Sequence, residues 1–258
     1  MEETKRNPGT DVLDMWKTVA GAGAHADKTS VGATIAPDRP VETFKRRQLL
    51  GELPKIDPNS EHSEFDVQGT LGEGGMRLVR LARQSSIYHD VAIKTIHPEK
   101  LSPDTTHDLL QESWVTGMLE HPNIVPIHAL GVDEYGAPMM IMKRVEGVSW
   151  HDAIADPDKL PDPFRGGRDR LADHIDILLQ VCNAVEFAHS RGIIHCDLKP
   201  TNVMLGSYGE VYLVDWGIAV SMEDDGTGRL PLAADVDSLS GTPGYISPEL
   251  AAGQGERI

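Results

Sequence analysis

The stretch Ile194-His195-Cys196-Asp197-Leu198-Lys199-Pro200-Thr201-Asn202-Val203-Met204-Leu205 constrains this 258-residue chain more than any other. It sets a carboxylate, an ammonium two residues on and a carboxamide five residues after the carboxylate in front of an apolar run. A second apolar run, Val211-Tyr212-Leu213-Val214, follows the hairpin signal Gly206-Ser207-Tyr208-Gly209 and leads into Asp215-Trp216-Gly217. Such a hairpin returns Asn202 and Asp215 to one place. Side chains of these types suit the movement of a phosphoryl group from ATP. Asp197 can orient an attacking hydroxyl and accept its proton, Lys199 can neutralise the γ-phosphate, and Asn202 with Asp215 can offer oxygen ligands to Mg2+.

Bulk properties narrow the partners. With 40% hydrophobic and 25% charged residues the chain has an ordinary globular composition, long enough for one large domain or two modest ones. A formal charge of −16 argues against nucleic acid or an anionic membrane as the main partner. Two cysteines, Cys182 and Cys196, make neither a disulfide framework nor a zinc pattern, which fits a reducing cytoplasm. The first residues lack a signal-peptide apolar core, and no run of 18 apolar residues occurs, so no membrane segment is expected within this chain.

Residues 1–64 mix Gly, Ala, Thr, Asp and Pro with few clustered apolar side chains. They bury too little surface to offset ordering entropy and read as a disordered or weakly structured N-terminal extension. Within it Val41 to Leu53 has the pattern of a short amphipathic helix, and Thr29, Ser30 and Thr34 are candidate phosphorylation sites. From Phe65 to Ile96 the pattern is strand-like, with a turn at His89-Asp90. Gly72-Glu73-Gly74-Gly75-Met76 interrupts it. Glycines there let backbone N–H groups approach phosphates, because no Cβ intervenes. Val91-Ala92-Ile93-Lys94 comes about twenty residues later.

Taken together, the 194–205 stretch, the glycine turn and the Val-Ala-Ile-Lys strand resemble protein kinases, and Asp-Leu-Lys-Pro resembles the serine/threonine branch. The Gly-Gly-Met form of the turn resembles bacterial members. The resemblance implies that Lys94 pairs with the α- and β-phosphates and with a glutamate on the following helix. Glu112 is the expected partner and Asp108 the close competitor; Leu109, Val115, Met118 and Leu119 recur there at helical spacing. It further implies that Leu71, Gly72, Glu73, Gly74, Gly75, Met76, Val79, Ala92, Lys94, Met142, Lys143 and Val145 surround ATP. Met142 would guard the back pocket, and the Lys143-Arg144-Val145 backbone would meet the adenine. Asp197, Lys199, Lys94 and Glu112 are the implied catalytic set, and Asn202 and Asp215 the implied ligands of Mg2+, or of Mn2+ in its place.

Further along, residues 151–170 carry Pro157, Pro161, Pro163 and Gly166-Gly167 and read as a loop longer than the family's usual connection. Leu171 to Arg191 reads as a helix with an apolar stripe of Ile175, Leu178, Leu179, Cys182, Val185 and Ala188, which makes Cys182 a core residue. The end of the activation segment, Gly241-Thr242-Pro243-Gly244-Tyr245-Ile246-Ser247-Pro248-Glu249, resembles the family's substrate platform. Thr242 would bridge Asp197 and Lys199, and Glu249 would anchor the platform. Thr227, Ser238 and Ser240 are candidate phosphosites.

Three residues depart from the family's pattern: Arg77 stands at the third glycine position, Cys196 replaces the arginine of His-Arg-Asp, and Trp216 replaces phenylalanine. Arg77 should stiffen the lid. Cys196 removes the cation that binds an activation-segment phosphate, so activity should depend less than usual on phosphorylation there. Trp216 keeps an apolar anchor but brings an N–H that needs a partner. His195 is expected to brace the loop.

The expected fold is α+β and two-lobed: a β-rich N-lobe with one helix at residues 65–145, then a mainly helical C-lobe at 146–258. The C-lobe should be incomplete, truncated soon after Glu249, with apolar surface exposed on Leu171–Arg191. The implied function is protein serine/threonine kinase with ATP and Mg2+, acting on protein substrates and on itself. A kinase-like module that binds nucleotide or partners without catalysis is the alternative. A small-molecule phosphotransferase fits less well, since the Gly241–Glu249 end reads as a platform for protein.

Overall fold

The structure, a computed structural model, describes residues 50–56, 63–166, 169–224 and 226–258. Three strands open the N-lobe: β1 (Phe65–Glu73), β2 (Arg77–Gln84) and β3 (His89–Ile96). Their turn lies at residues 85–88 and not at His89-Asp90, with Tyr88 in the left-handed region at φ 53°. The helix α1 (Pro103–Met118) follows, then β4 (Ile127–Val132) and β5 (Pro138–Lys143). The sheet order is β1-β2-β3-β5-β4, and every neighbouring pair is antiparallel.

Alternation along β5 serves both faces of this sheet. Met139 and Ile141 join Phe65, Ala82, Val91 and Ile93 on one face, while Met140 meets Ile96 and Leu109 on the other, which seats α1. Helix α1 starts five residues before Asp108 because its first turn is capped at both ends of a reciprocal pair. The Ser102 hydroxyl accepts from Thr105 N–H at 3.2 Å, Thr105 Oγ1 accepts from Ser102 N–H at 3.0 Å, and Pro103 occupies the first helical position. Leu109, Val115 and Leu119 are buried as the periodicity predicts, whereas Met118 is exposed.

The C-lobe contains β6 (Gly147–Ser149), α2 (Trp150–Ala155), α3 (Arg170–Ser190), β7 (Ile193–Ile194), β8 (Val203–Gly206), β9 (Val211–Leu213), β10 (Val220–Ser221) and α4 (Pro248–Ala251). The segment read as a loop at 151–170 is thus partly helical. Ser149 caps α2, two 3-10 turns follow at Pro157–Lys159 and Asp162–Phe164, and Leu160 and Phe164 enter the core. Two buried apolar side chains order a stretch whose prolines suggested none.

Helix α3 forms where expected, capped by Asp169 accepting from Ala172 N–H at 2.8 Å and closed by Gly192 at φ 67°. Its buried face is shifted from the expected stripe, of which only Ala188 is buried and Val185 half-buried against the core. Ile177, Val181, Ala184 and Ala188 pack into the core with Val115, Leu205, Leu213 and Trp216. Ile175, Leu178, Leu179 and Cys182 are exposed, so Cys182 is not a core residue. Both faces are apolar enough to be buried, and small Ala184 and Ala188 let only one of them approach closely. Among the described residues no helix is long and apolar enough to cross a membrane.

Part of the expected extension belongs to the N-lobe. Ile56 N–H donates to Val132 O at 2.7 Å and Val132 N–H donates to Pro54 O at 3.0 Å, a short parallel addition to the β4 edge. Ile56 packs on the sheet core directly over Gly131. Of the 41–53 helix, residues 50–52 are helical and Leu53 lies in a bend, and residues 41–49, with Thr29, Ser30 and Thr34, lie outside the described residues.

A methyl group on Gly131 would meet the Ile56 side chain and lie 2.7 Å from the Pro54 carbonyl oxygen. Gly131→Ala should therefore lower unfolding free energy by about 1–3 kcal/mol through overpacking. Adding Ile56→Ala should recover part of that loss by vacating the space. An unchanged melting temperature in Gly131→Ala would mean that the 54–56 segment does not hold this position.

Candidate active site

Four segments converge between the lobes. The β8–β9 hairpin pairs Val203 with Leu213, and Val214 N–H donates to Asn202 O at 2.9 Å, so both ends of the hairpin reach one place. His195 is buried beneath it. Asp197 N–H donates to His195 Nδ1 at 3.2 Å, which leaves Nε2 as the protonated nitrogen, 3.2 Å from Val214 O. The ring also lies against Trp216, with centroids 4.5 Å apart. Burial, more than the opposing Val214 bond and nearby carboxylates, pushes His195 below its usual value, so it stays neutral and braces the loop.

Cys196 and Asp215 take left-handed conformations at φ 64° and 63°, which non-glycine residues seldom adopt. Both sit beside the converging polar groups, where the surrounding bonds impose the conformation. Cys196 is half-buried and packs with Ile194 and Ile246 against Val220, Ala233, Val236 and Leu250. Trp216 is fully buried, and its indole N–H has no hydrogen-bond partner among the described residues.

The acidic centre is Asp197. Lys199 Nζ is 2.8 Å from its Oδ2, Asn202 Nδ2 donates to the same oxygen at 3.1 Å, and Thr242 Oγ1 donates to its Oδ1 at 2.6 Å. Lys199 Nζ in turn donates to Thr242 Oγ1 at 2.7 Å, so Thr242 stands between the two charges. All four side chains are buried. Since Asn202 commits its amide nitrogen to Asp197, its carbonyl oxygen is the atom left to face a cation.

Lys94 supplies the second centre. Its Nζ lies 2.5 Å from Glu112 Oε1 and 3.4 Å from Asp215 Oδ1. Burial opposes its charge, but the Asp215 and Glu112 carboxylates outweigh that and raise Lys94 above its usual value. Lys94 conversely holds Asp215 below the usual carboxylate range, keeping it ionised. The Asp215 side chain is 44% exposed. An ionised, accessible carboxylate beside the Asn202 carboxamide fits a hard cation that takes oxygen ligands.

Of the expected nucleotide-lining residues, Val79, Ala92, Lys94 and Met142 share one face of the N-lobe sheet by cross-strand register. Leu71, Gly72 and Glu73 end β1, Gly74, Gly75 and Met76 form the turn, and Val79 lies opposite Gly72 and Lys94 in the ladders. Ala92 is paired with Met142, with half-buried Lys143 and Val145 next along the chain. Glu249 is in the first turn of α4. Thr227 is exposed, but Ser240 is buried and the Ser238 hydroxyl is enclosed without a partner among the described residues. Neither serine is presented as an accessible phosphosite in this conformation.

Some contacts carry no sequence signal. Gln111 Nε2 donates to Ala219 O at 3.3 Å, the Arg229 guanidinium lies 5.7 Å from the Trp114 ring centre, and Arg77 Nη1 donates to Thr105 O at 3.0 Å. Each joins α1 to a distant segment, and only tertiary packing decides such pairs.

The protein kinase domain family matches residues 65–257. Serine/threonine-protein kinase PknD of Protochlamydia amoebophila is 34% identical over 207 residues, covering 74% of this chain and 21% of that protein. Serine/threonine-protein kinase PknB of Mycobacterium tuberculosis is 32% identical over 201 residues, covering 76% and 30%. The chain thus spans less than a third of the length of these curated relatives. The solved kinase domain of M. tuberculosis PknI superposes at a TM-score of 0.49, with 28% identity over 60% of this chain and 59% of that one.

A buried neutral histidine makes stability depend on pH. Because the folded value of His195 is depressed, its contribution is present above the unfolded histidine value and is lost as pH falls. Below about pH 6.5 the unfolded chain takes up a proton that the folded chain excludes, at up to about 1.4 kcal/mol per pH unit for one group. Melting temperature should fall between pH 7.5 and 5.5, and more steeply than in His195→Asn. An equal pH dependence in the two proteins would contradict the buried neutral state.

Proposed function

Because the chain belongs to the protein kinase family, we propose that it transfers the γ-phosphoryl group of ATP to serine or threonine hydroxyls of proteins, including its own. The observation that carries this reading is the Asp197 carboxylate, held by Lys199, Asn202 and Thr242 within a site that also contains the Lys94–Glu112 pair. Names of the bacterial relatives support the serine/threonine assignment. The two cysteines, neither of them in a disulfide, suit a cytoplasmic setting.

On this reading Lys94 binds the α- and β-phosphates, and Glu112 keeps its ammonium from turning away. Glycines 72, 74 and 75 close over the phosphates, and Ala92, Met142 and the Lys143–Val145 backbone receive the adenine. Asn202 and Asp215 would hold Mg2+, which when bound neutralises the phosphate oxygens. Asp197 orients the substrate hydroxyl. As that oxygen bonds to the γ-phosphorus, the bond to the bridging oxygen breaks and ADP leaves with its electron pair. The hydroxyl proton passes to Asp197. Lys199 stabilises the charge on the transferring group, and Thr242 keeps Lys199 and Asp197 in register. Positioning and charge neutralisation supply most of the rate. Cys196 offers no cation to an activation-segment phosphate, so activity should depend less than usual on one.

The test is transfer of labelled phosphate from Mg-ATP to the chain itself and to a generic protein substrate. Asp197→Asn should lower the rate by about 100-fold or more, the loss expected of a general base, while nucleotide affinity stays near the original. Nucleotide binding with no transfer in either protein would favour the non-catalytic module.

A further inference from the structure

The function proposed above leaves Arg77 without a role, although it is the one charged residue in the glycine-rich turn's closing position. Its backbone and its side chain hold different things. The Arg77 carbonyl accepts from Gly74 N–H at 2.9 Å, which closes the turn. Its guanidinium reaches out of the sheet, and Nη1 donates to Thr105 O at 3.0 Å. Thr105 is the capping residue of α1 that reciprocates with Ser102. Glu112 lies seven residues further on, about 10 Å along the helix axis at 1.5 Å per residue. The same turn is fastened on its other side, where Glu73 Oε1 is 3.5 Å from His97 Nε2 and His97 N–H donates to Met76 O at 3.0 Å. Those bonds reach only the end of β3. The Arg77 bond reaches the element that carries Glu112.

We propose that Arg77 is a positioning residue that ties the glycine-rich turn to the first turn of α1, so that closure over a nucleotide and seating of the Lys94–Glu112 pair occur together. The inference rests on the nucleotide reading of the site. Glycine at this position would leave the turn free of the helix, because no side chain would reach Thr105. Lysine would keep one donor of the required length.

Hydrogen exchange on the full chain, with and without a non-hydrolysable ATP analogue and Mg2+, tests this for the native protein, Arg77→Ala and Arg77→Lys. In the native protein the analogue should slow exchange both in residues 72–79 and in 103–112. In Arg77→Ala, slowing should persist at 72–79 and vanish at 103–112, with kcat lower by about tenfold for loss of one charge-assisted bond and KM for ATP within about twofold. Arg77→Lys should recover most of both. Coupled protection in Arg77→Ala equal to that of the native protein would overturn the tie. So would weaker nucleotide binding with unchanged exchange in the helix, since Arg77 would then be a phosphate ligand. If the analogue fails to slow residues 72–79 even in the native protein, the nucleotide reading falls. The tie itself is then decided without nucleotide, by whether residues 103–112 exchange faster in Arg77→Ala.

Discussion

An ammonium shared by a buried carboxylate and an accessible one sets the terms for the rest of this molecule. Lys94 lies 2.5 Å from Glu112 and 3.4 Å from Asp215, and the three come from a strand, a helix and the segment after a hairpin. Removing one partner of the largely buried Lys94–Glu112 pair leaves an uncompensated charge, typically at a cost of about 3–5 kcal/mol. The sheet, α1 and the β8–β9 hairpin must therefore dock together or not at all. That requirement explains why Met140, Leu109 and Ile96 form a separate small core under α1, and why Val115 and Leu119 carry the same helix into the C-lobe core.

The second centre is assembled by different means. Asp197, Lys199, Asn202 and Thr242 satisfy one another within a buried cluster, and His195 fixes the loop from below as a neutral ring. Backbone strain at Cys196 and Asp215 is retained because these bonds over-determine the loop. The activation segment is held to this loop by apolar packing of Ile194, Cys196 and Ile246 on Val220, Ala233, Val236 and Leu250. Contacts from Gln111 and Trp114 hold it to α1. Contacts within the chain thus bring both centres together.

Much of this was legible in the sequence because it depends on local pattern. Strand alternation, the hairpin signal and the spacing from Asp197 to Asn202 to Asp215 fix which groups can meet, and family resemblance supplies Lys94 and Glu112. What escaped was decided by competition between equivalent patterns. Helix α3 has two apolar faces, and only packing selects Ile177 and Val181 over Ile175 and Cys182. Leu160 and Phe164 order a proline-rich stretch that looks like loop by composition. Ile56 extends the sheet only because Gly131, 75 residues away, leaves room for it. Ser240, a candidate phosphosite by sequence, is buried.

Both charged centres are assembled by contacts within the chain, without a phosphate on the activation segment. The most direct test is the time course of phosphoryl transfer by protein first treated with a phosphatase, after the phosphatase is removed. Product formation should be linear from the first turnovers, with no gain in rate after preincubation with ATP. A lag that shortens with preincubation, and with rising protein concentration, would contradict it and make phosphorylation a condition of assembly.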